Sequence, residues 1–181
     1  MKLTSFILVG LLFGLQALQA AESKVEKRRE QLSAEVTEAL AQFKKADSSL
    51  KDFLEKSAGY AVFPKVAKGA MGVGAANGRG QLFEKGRVVG EASLTQVTVG
   101  FQLGGQVYSE IIFFEDQKTL DDFKEGNLEF SAQVSAVAAA EGASKNAKYK
   151  LGVAIFTLAR GGLMYEASVG GQKFKFTPYE K

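Results

Sequence analysis

Apolar positions change period twice along this chain. Residues 6–15 (FILVGLLFGL) form an unbroken apolar run. Farther on, Val25, Leu32, Val36, Ala39, Leu40 and Phe43 fall, at helical spacing, on one stripe about 100° wide. Lys24, Lys27, Glu35, Glu38 and Lys45 lie on the other side. This predicts an amphipathic helix over Glu22–Lys45, with its packed face starting near Leu32, because Arg29 intrudes on the stripe before that point. A short second helix follows. Asp47, Ser48 and Ser49 offer caps, Ser49-Leu50-Lys51-Asp52 resembles a capping box, and Leu50, Phe53 and Leu54 share a face. Gly59 is placed to end it.

After Gly59 the spacing shortens to that of strands. Between Ala21 and Ala58 there is neither Gly nor Pro, whereas 18 of the 20 glycines lie between Gly59 and Gly171. Each Gly inside a helix costs ~1 kcal/mol relative to Ala, so this region cannot be mostly helical. Tyr60–Phe63 reads as a short strand stopped by Pro64. Asn77-Gly78 predicts a hairpin between Gly72–Ala76 and Gly80–Glu84. Lys85-Gly86 predicts the next turn, and Gln96–Leu103 and Gln106–Phe114 read as strands separated by Gly104-Gly105. Asp116 is a cap for a helix running to Glu125, with Leu120 and Phe123 inward and Gly126 closing it. Phe130–Ala140 fits both a strand alternation and a helical face and is read as a strand. Gly152–Arg160 and Gly162–Val169 predict a terminal hairpin, and Lys173–Phe176 a last strand. The expected class is α+β: N-terminal amphipathic helices packed on a Gly-rich, mostly antiparallel β-sheet or barrel-like domain. The expected divisions are 1–20, 21–58 and 59–181, the last two forming one domain.

The first twenty residues have the layout of a secretory signal peptide: Lys2, the apolar run, then small uncharged residues around Ala20. The run is shorter than the ~20 residues needed to span a bilayer. Cleavage is expected after Ala20, with Ala21 as second choice and Leu18 an unusual residue three positions before the cut. The expected location is the periplasm or the exterior.

Composition removes whole classes of chemistry. There is no His, Cys or Trp among 181 residues. Without His there is no Ser-His or Cys-His nucleophile pair. Without His and Cys, zinc fingers, Fe–S sites and disulfides are excluded, leaving oxygen ligands and Mg or Ca. No cofactor is expected. The formal net charge of +3 gives no ground for nucleic acid as a partner. Ser48-Ser49-Leu50-Lys51 matches Ser-x-x-Lys, but Lys118-Thr119 is followed by Leu120 and not Gly, so the companion motif is missing. Gly72-Val73-Gly74 has Asn77 where a third dinucleotide-binding glycine would stand, and no βαβ pattern surrounds it. Asp121 and Asp122 are adjacent, not at Ca-loop spacing, and read as exposed helix carboxylates. No enzyme activity is expected.

Lys65, Lys68, Arg79, Lys85 and Arg87 fall within 23 residues of glycine-rich hairpins. Glycine lets backbone amides approach a phosphate, and Lys and Arg add charge-assisted bonds. The same residues equally suit solvated strand edges, where lysine blocks unwanted pairing. Lys24, Lys27, Arg28 and Arg29 begin the helix as a membrane-surface helix would. Glu26, Glu30, Glu35 and Glu38 oppose adhesion to anions, so a helix folded onto the sheet is the better reading.

Taken in order, these pieces resemble the SYLF domain family from about Leu50 to Pro178. The resemblance rests on Ser57–Val66 (SAGYAVFPKV), Lys68–Gly74 (KGAMGVG), Gly100–Gln106 (GFQLGGQ) and Ile111–Phe114. It continues through Leu120–Phe123, Gly126–Leu128, Arg160–Leu163 and Glu166–Gly170. Order and spacing together carry it. Two stretches depart from the pattern: the closing Gly162-Leu163-Met164-Tyr165-Glu166, and Ala140-Glu141-Gly142-Ala143, which lacks a proline. The resemblance implies binding of phospholipid head groups, phosphoinositides in eukaryotic members, some of which also bind actin. For an exported chain the implied ligand is an anionic phospholipid at a membrane surface. Lys65, Lys68, Arg79, Lys85 and Arg87 are the expected head-group contacts, with Tyr60 and Phe63 touching acyl chains or sealing the core. The alternative is an envelope protein-interaction domain that uses a sheet edge or the first helix, its partner unknown.

Overall fold

The computed structural model describes residues 3–71, 73–99, 106–129, 136–159 and 171–179. The chain divides into two compact units, Met1–Ala34 and Glu35–Lys181. Helix α1 (Leu3–Ala46) begins well before Glu22, where the apolar periodicity starts; the preceding run holds Gly10 and Gly14 but no proline. Val36, Ala39 and Phe43 are buried in the second unit, as the apolar stripe predicts, and Val25 in the first is exposed. Among the described residues no helix is long and apolar enough to cross a membrane.

Asp47 ends α1 by turning extended and then caps the 3-10 turn Ser48–Leu50, its carboxylate accepting from Ser49 N. α2 (Lys51–Lys56) follows and closes at Ser57. Gly59 therefore opens the first strand and does not end the helix. A Cβ there would sit 2.6 Å from the Phe83 carbonyl oxygen, so this glycine permits close strand approach.

Seven strands form one sheet in the order β5-β6-β4-β1-β2-β3-β7. They are β1 (Gly59–Met71), β2 (Val73–Glu84), β3 (Arg87–Val99), β4 (Gln106–Phe114), β5 (Val137–Ala138), β6 (Val153–Ala159) and β7 (Gln172–Pro178). All pairings are antiparallel except β5 with β6. β4 matches its expected bounds, and α3 (Gln117–Glu125) forms as predicted, with Thr119 N donating to Asp116 Oδ1 at 2.8 Å and Gly126 left-handed at its end. The Lys85-Gly86 turn also forms, both residues at positive φ.

Two turn expectations are corrected. Asn77-Gly78 is not a hairpin but lies inside β2, paired with Ala67 and Val66 of β1. The β1–β2 reversal falls between Met71 and Val73, around residue 72, which lies outside the described residues. Pro64 does not stop the first strand either. β1 runs through it with a register shift on both flanks, between Val62 and Lys65 toward β2 and between Phe63 and Val66 toward β4. A bulge leaves one residue out of the ladder, a place where proline's missing N–H costs nothing. The Pro64 carbonyl accepts from Ser109 Oγ at 2.7 Å. Opposite the bulge stands Gly80, where a Cβ would lie 2.2 Å from the Val62 carbonyl oxygen. Gly80 thus serves the bulge. Strands expected over 100–103, 130–135 and 160–169 lie outside the described residues.

The sheet curls strongly but does not close. β7 is four places from β4 in the order, a flat distance of about 19 Å. Yet Gln172 of β7 hydrogen-bonds Glu110 of β4, and the rings of Phe63 and Phe174 are 6.0 Å apart. Among the described residues the outermost strands, β5 and β7, do not pair with each other, so the barrel-like alternative gives way to an open curled sheet. The inner face carries Ala61, Phe63, Leu82, Leu94, Ile112, Phe114, Ile155 and Phe174, closed at one end by Leu120 and Phe123 of α3. On the outer face Phe53 of α2 meets Phe113 and Phe156 at 5.3 and 5.2 Å.

Candidate functional site

The bulge at Pro64 sets the direction of every later side chain on β1. With Phe63 inward, unbroken alternation would turn Lys65 inward as well. The extra residue inverts this, so Val66 enters the core and Lys65 faces solvent. Lys65 then stands directly opposite Arg79 of β2, Arg79 opposite Ser93 of β3, and Ser93 opposite Lys175 of β7. Three cations thus share one cross-strand row on the outer face, spanning about 15 Å at the usual strand spacing. Lys173 is two residues from Lys175 on the same face. Arg79 donates through Nε to Glu91 at 2.7 Å, and Lys173 pairs with Glu129 at 2.8 Å. Among the described residues Lys65 and Lys175 have no ion-pair partner.

The expected head-group residues therefore divide. Lys65 and Arg79 are neighbours in the row. Lys85 and Arg87 are exposed at the β2–β3 turn, about 20 Å along β2 from Arg79. Beside that turn, Glu84 accepts from Lys124 of α3 at 2.9 Å, and this bond holds its carboxyl below the usual range. Lys68 is in β1, and its side chain lies outside the described residues. Tyr60 is buried and stacked on Phe83, ring centroids 4.8 Å apart, and Phe63 is fully buried. Both seal the core. The β2 amides expected to approach a phosphate belong to ladders with β1 and β3.

Two features escape a reading of the sequence alone. One is Lys173 and Lys175, whose alternation with Phe174 and Phe176 marks an outward face, but whose place beside Arg79 depends on the pairing of β7 with β3. The other is a polar group inside the curl. Tyr108 and Glu110 alternate with Ile112 and Phe114 on the inner face of β4. A carboxylate within an apolar alternation is the available signal. Glu110 lies opposite Phe63 on β1 and Thr157 on β6, and accepts from Gln172 Nε2 at 3.1 Å. Glu110 and Gln172 are both 0% exposed, and Tyr108 and Thr157 are buried with them. Burial pushes the Glu110 carboxyl up to about 7, outweighing the Gln172 bond. Burial also raises the Tyr108 phenol, helped by the nearby Glu110 charge.

A second buried polar group is structural. Asp47 accepts from Ser144 N at 2.7 Å and Gly142 N at 3.2 Å, tying the end of α1 to the 3-10 turn Ala143–Asn146. Burial raises the Asp47 carboxyl, but bonds from the Ser49 hydroxyl and from Ser144 and Ser49 amides outweigh this and hold it below the usual value. The Ser-x-x-Lys residues point elsewhere. Ser48 Oγ donates to Glu141 at 2.9 Å and Lys51 lies 3.6 Å from Glu55. Among the described residues no cluster of carboxylates could hold a metal ion.

Residues 95–179 match the family model described as Ysc84, Las17-binding protein actin regulator. The match covers most of the residues from the end of β3 through β7, including Glu110, Lys173 and Lys175, but not β1 or β2. A stretch of 72 residues is 36% identical to Beta cell expansion factor A of Aeromonas veronii, covering 40% of this chain and 28% of that protein. The matched stretch thus spans less than a third of that relative's length. The match over residues 95–179 agrees with the order of motifs from Leu50 to Pro178, and it is this part of the chain that is similar to the SYLF (Ysc84) family.

Proposed function

We propose that this is an exported, non-catalytic module that binds anionic phospholipid head groups at a membrane surface. The observation that carries the reading is the row Lys65–Arg79–Lys175 on the outer face, with Lys65 and Lys175 free to meet phosphates. A lysine near an anionic surface contributes ~1 kcal/mol. Lys85 and Arg87, about 20 Å from Arg79 at the β2–β3 turn, lie apart from this row. Export rests on the first twenty residues, with cleavage near Ala20. The alternative, a partner strand added to the sheet edge, draws less support: β7 presents Lys173, Lys175 and Pro178, the residue types that discourage edge pairing.

The test is sedimentation of the chain from Ala21 onward with anionic and with neutral vesicles across a salt series. Binding to anionic vesicles alone, weakening with salt, is expected. The double variant K65A/K175A should bind about 30-fold more weakly, the equivalent of ~2 kcal/mol. Equal binding to both vesicle types, binding to neither, or an unaffected double variant would overturn the reading.

A further inference from the structure

The inner polar group is costly as it stands. Glu110 Oε1, Gln172 Oε1, the Tyr108 hydroxyl and the Thr157 hydroxyl are all buried and without a hydrogen-bond partner. The Tyr108 hydroxyl rests against the Gln172 side chain without an aligned bond. Native interiors rarely leave such atoms unpaired, since each costs about 1–3 kcal/mol. Here four of them come from three strands, β4, β6 and β7, with Glu110 and Thr157 paired and Gln172 bonded to Glu110. Glu110 lies about 13 Å along β4 from Phe114 and Tyr108 about 20 Å, toward the end away from α3.

We propose that Glu110, Gln172, Tyr108 and Thr157 form an internal binding site for a primary ammonium group, carried by a free small amine or by an aminophospholipid head. The two unpaired carboxyl and amide oxygens only accept once Glu110 is ionised, and the two hydroxyl oxygens can accept as well. An ammonium has three donors and no acceptor, so it complements this set. It also supplies the countercharge that Glu110 lacks: among the described residues no cation faces it, and Tyr108 is the titratable group beside it. Phosphate is refused by the same carboxylate. A quaternary ammonium has no N–H to give and would leave the acceptors unpaired.

The inference is independent of the outer row, and the two are separable by salt. A buried ion pair is screened far less than exposed lysines. The probes are ethanolamine and, as control, choline, added to the full chain in salt that releases it from anionic vesicles. Ethanolamine should raise the melting temperature saturably at pH 8 while choline does not. Ethanolamine affinity should fall about tenfold per pH unit below 7, as Glu110 takes up its proton. E110Q keeps the Gln172 bond and should lose the response. T157V removes one hydroxyl alone, is available should E110Q not fold, and should weaken binding about tenfold. In the same salt, vesicles of phosphatidylethanolamine recruiting more protein than phosphatidylcholine would identify a lipid head as the source, while recruitment equal on both, with ethanolamine still bound, would identify a free amine. No response to ethanolamine, an equal response to choline, or a response unchanged in E110Q or T157V would overturn the proposal.

Discussion

Replacing Glu110 with glutamine isolates what the buried carboxyl does to stability. In the unfolded chain this group titrates near its ordinary value of 4.5, and in the folded chain near 7. Below about 4.5 both states carry the proton, and the native state keeps its full stability. Between 4.5 and 7 the unfolded carboxyl ionises in water while the native one cannot follow, so stability falls as pH rises. Above 7 both states are ionised and the loss levels off. The difference between the two values corresponds to about 3 kcal/mol. The amide of E110Q would have no proton to lose, and its oxygen would still accept from Gln172 Nε2, which stands 3.1 Å from Glu110 Oε2. The side chains facing this position are Tyr108 on its own strand, Phe63 on β1, Thr157 on β6 and Gln172 on β7, none of which titrates between about pH 4.5 and 8.5. Urea unfolding of both proteins from about pH 4.5 to 8.5 should therefore show near-equal stability at the acid end. E110Q should be about 3 kcal/mol more stable at the alkaline end, or roughly 10 °C in melting temperature for a chain of this size. A difference that stays constant across the range would refute the reasoning, because it would mean that the native carboxyl ionises as freely as the unfolded one.

Three further outcomes follow from the same geometry. D47A should lose about 2–4 kcal/mol in urea unfolding, since the buried Ser144 amide would have no acceptor. Because the Asp47 carboxyl is held below its usual value, its stabilisation should be present above pH ~4 and lost as pH falls through the lowered native value. G80A should cost at least ~3 kcal/mol or prevent folding, since its Cβ would lie 2.2 Å from the Val62 carbonyl oxygen; soluble protein with wild-type melting would contradict the packing of the bulge.

What can be read from the sequence is local chemistry. Asp116 and Gly126 bracket α3 because a carboxylate cap and a left-handed glycine act over a single turn. Lys85-Gly86 makes its turn for the same reason. Asn77-Gly78 carries an equally strong local signal and fails, because the strands on both sides of β2 claim its backbone and β1 already pairs back onto β2 at Met71 and Val73. Proline's missing donor says where a ladder hydrogen bond is absent but not whether the strand resumes, so Pro64 misleads as a stop. The five cations of the sequence reading are grouped by closeness along the chain, yet closeness in a sheet is set by register. That is why Lys175, almost a hundred residues from Arg79, joins Lys65 and Arg79, while Lys85 does not.

The bulge at Pro64 is what allows β1 to keep an apolar inner face and still turn Lys65 outward. Side chains alternate strictly along a strand, so a chain with Phe63 inward puts every second residue inward after it. Continued through Pro64, that rule would bury Lys65 and turn Val66 outward. A charge would then enter the interior and the outer row would lose its first member. One unpaired residue reverses the alternation for the rest of β1, and Gly80 across the ladder gives the displaced backbone room. The inner face keeps Phe63 beside Glu110 on one side of the bulge and gains Val66 on the other. The outer face gains Lys65 opposite Arg79. The outward cation of β1 is thus a consequence of one inserted residue, whereas Glu110 faces inward by the alternation of β4 itself. Any change that removes the bulge should disturb both faces together.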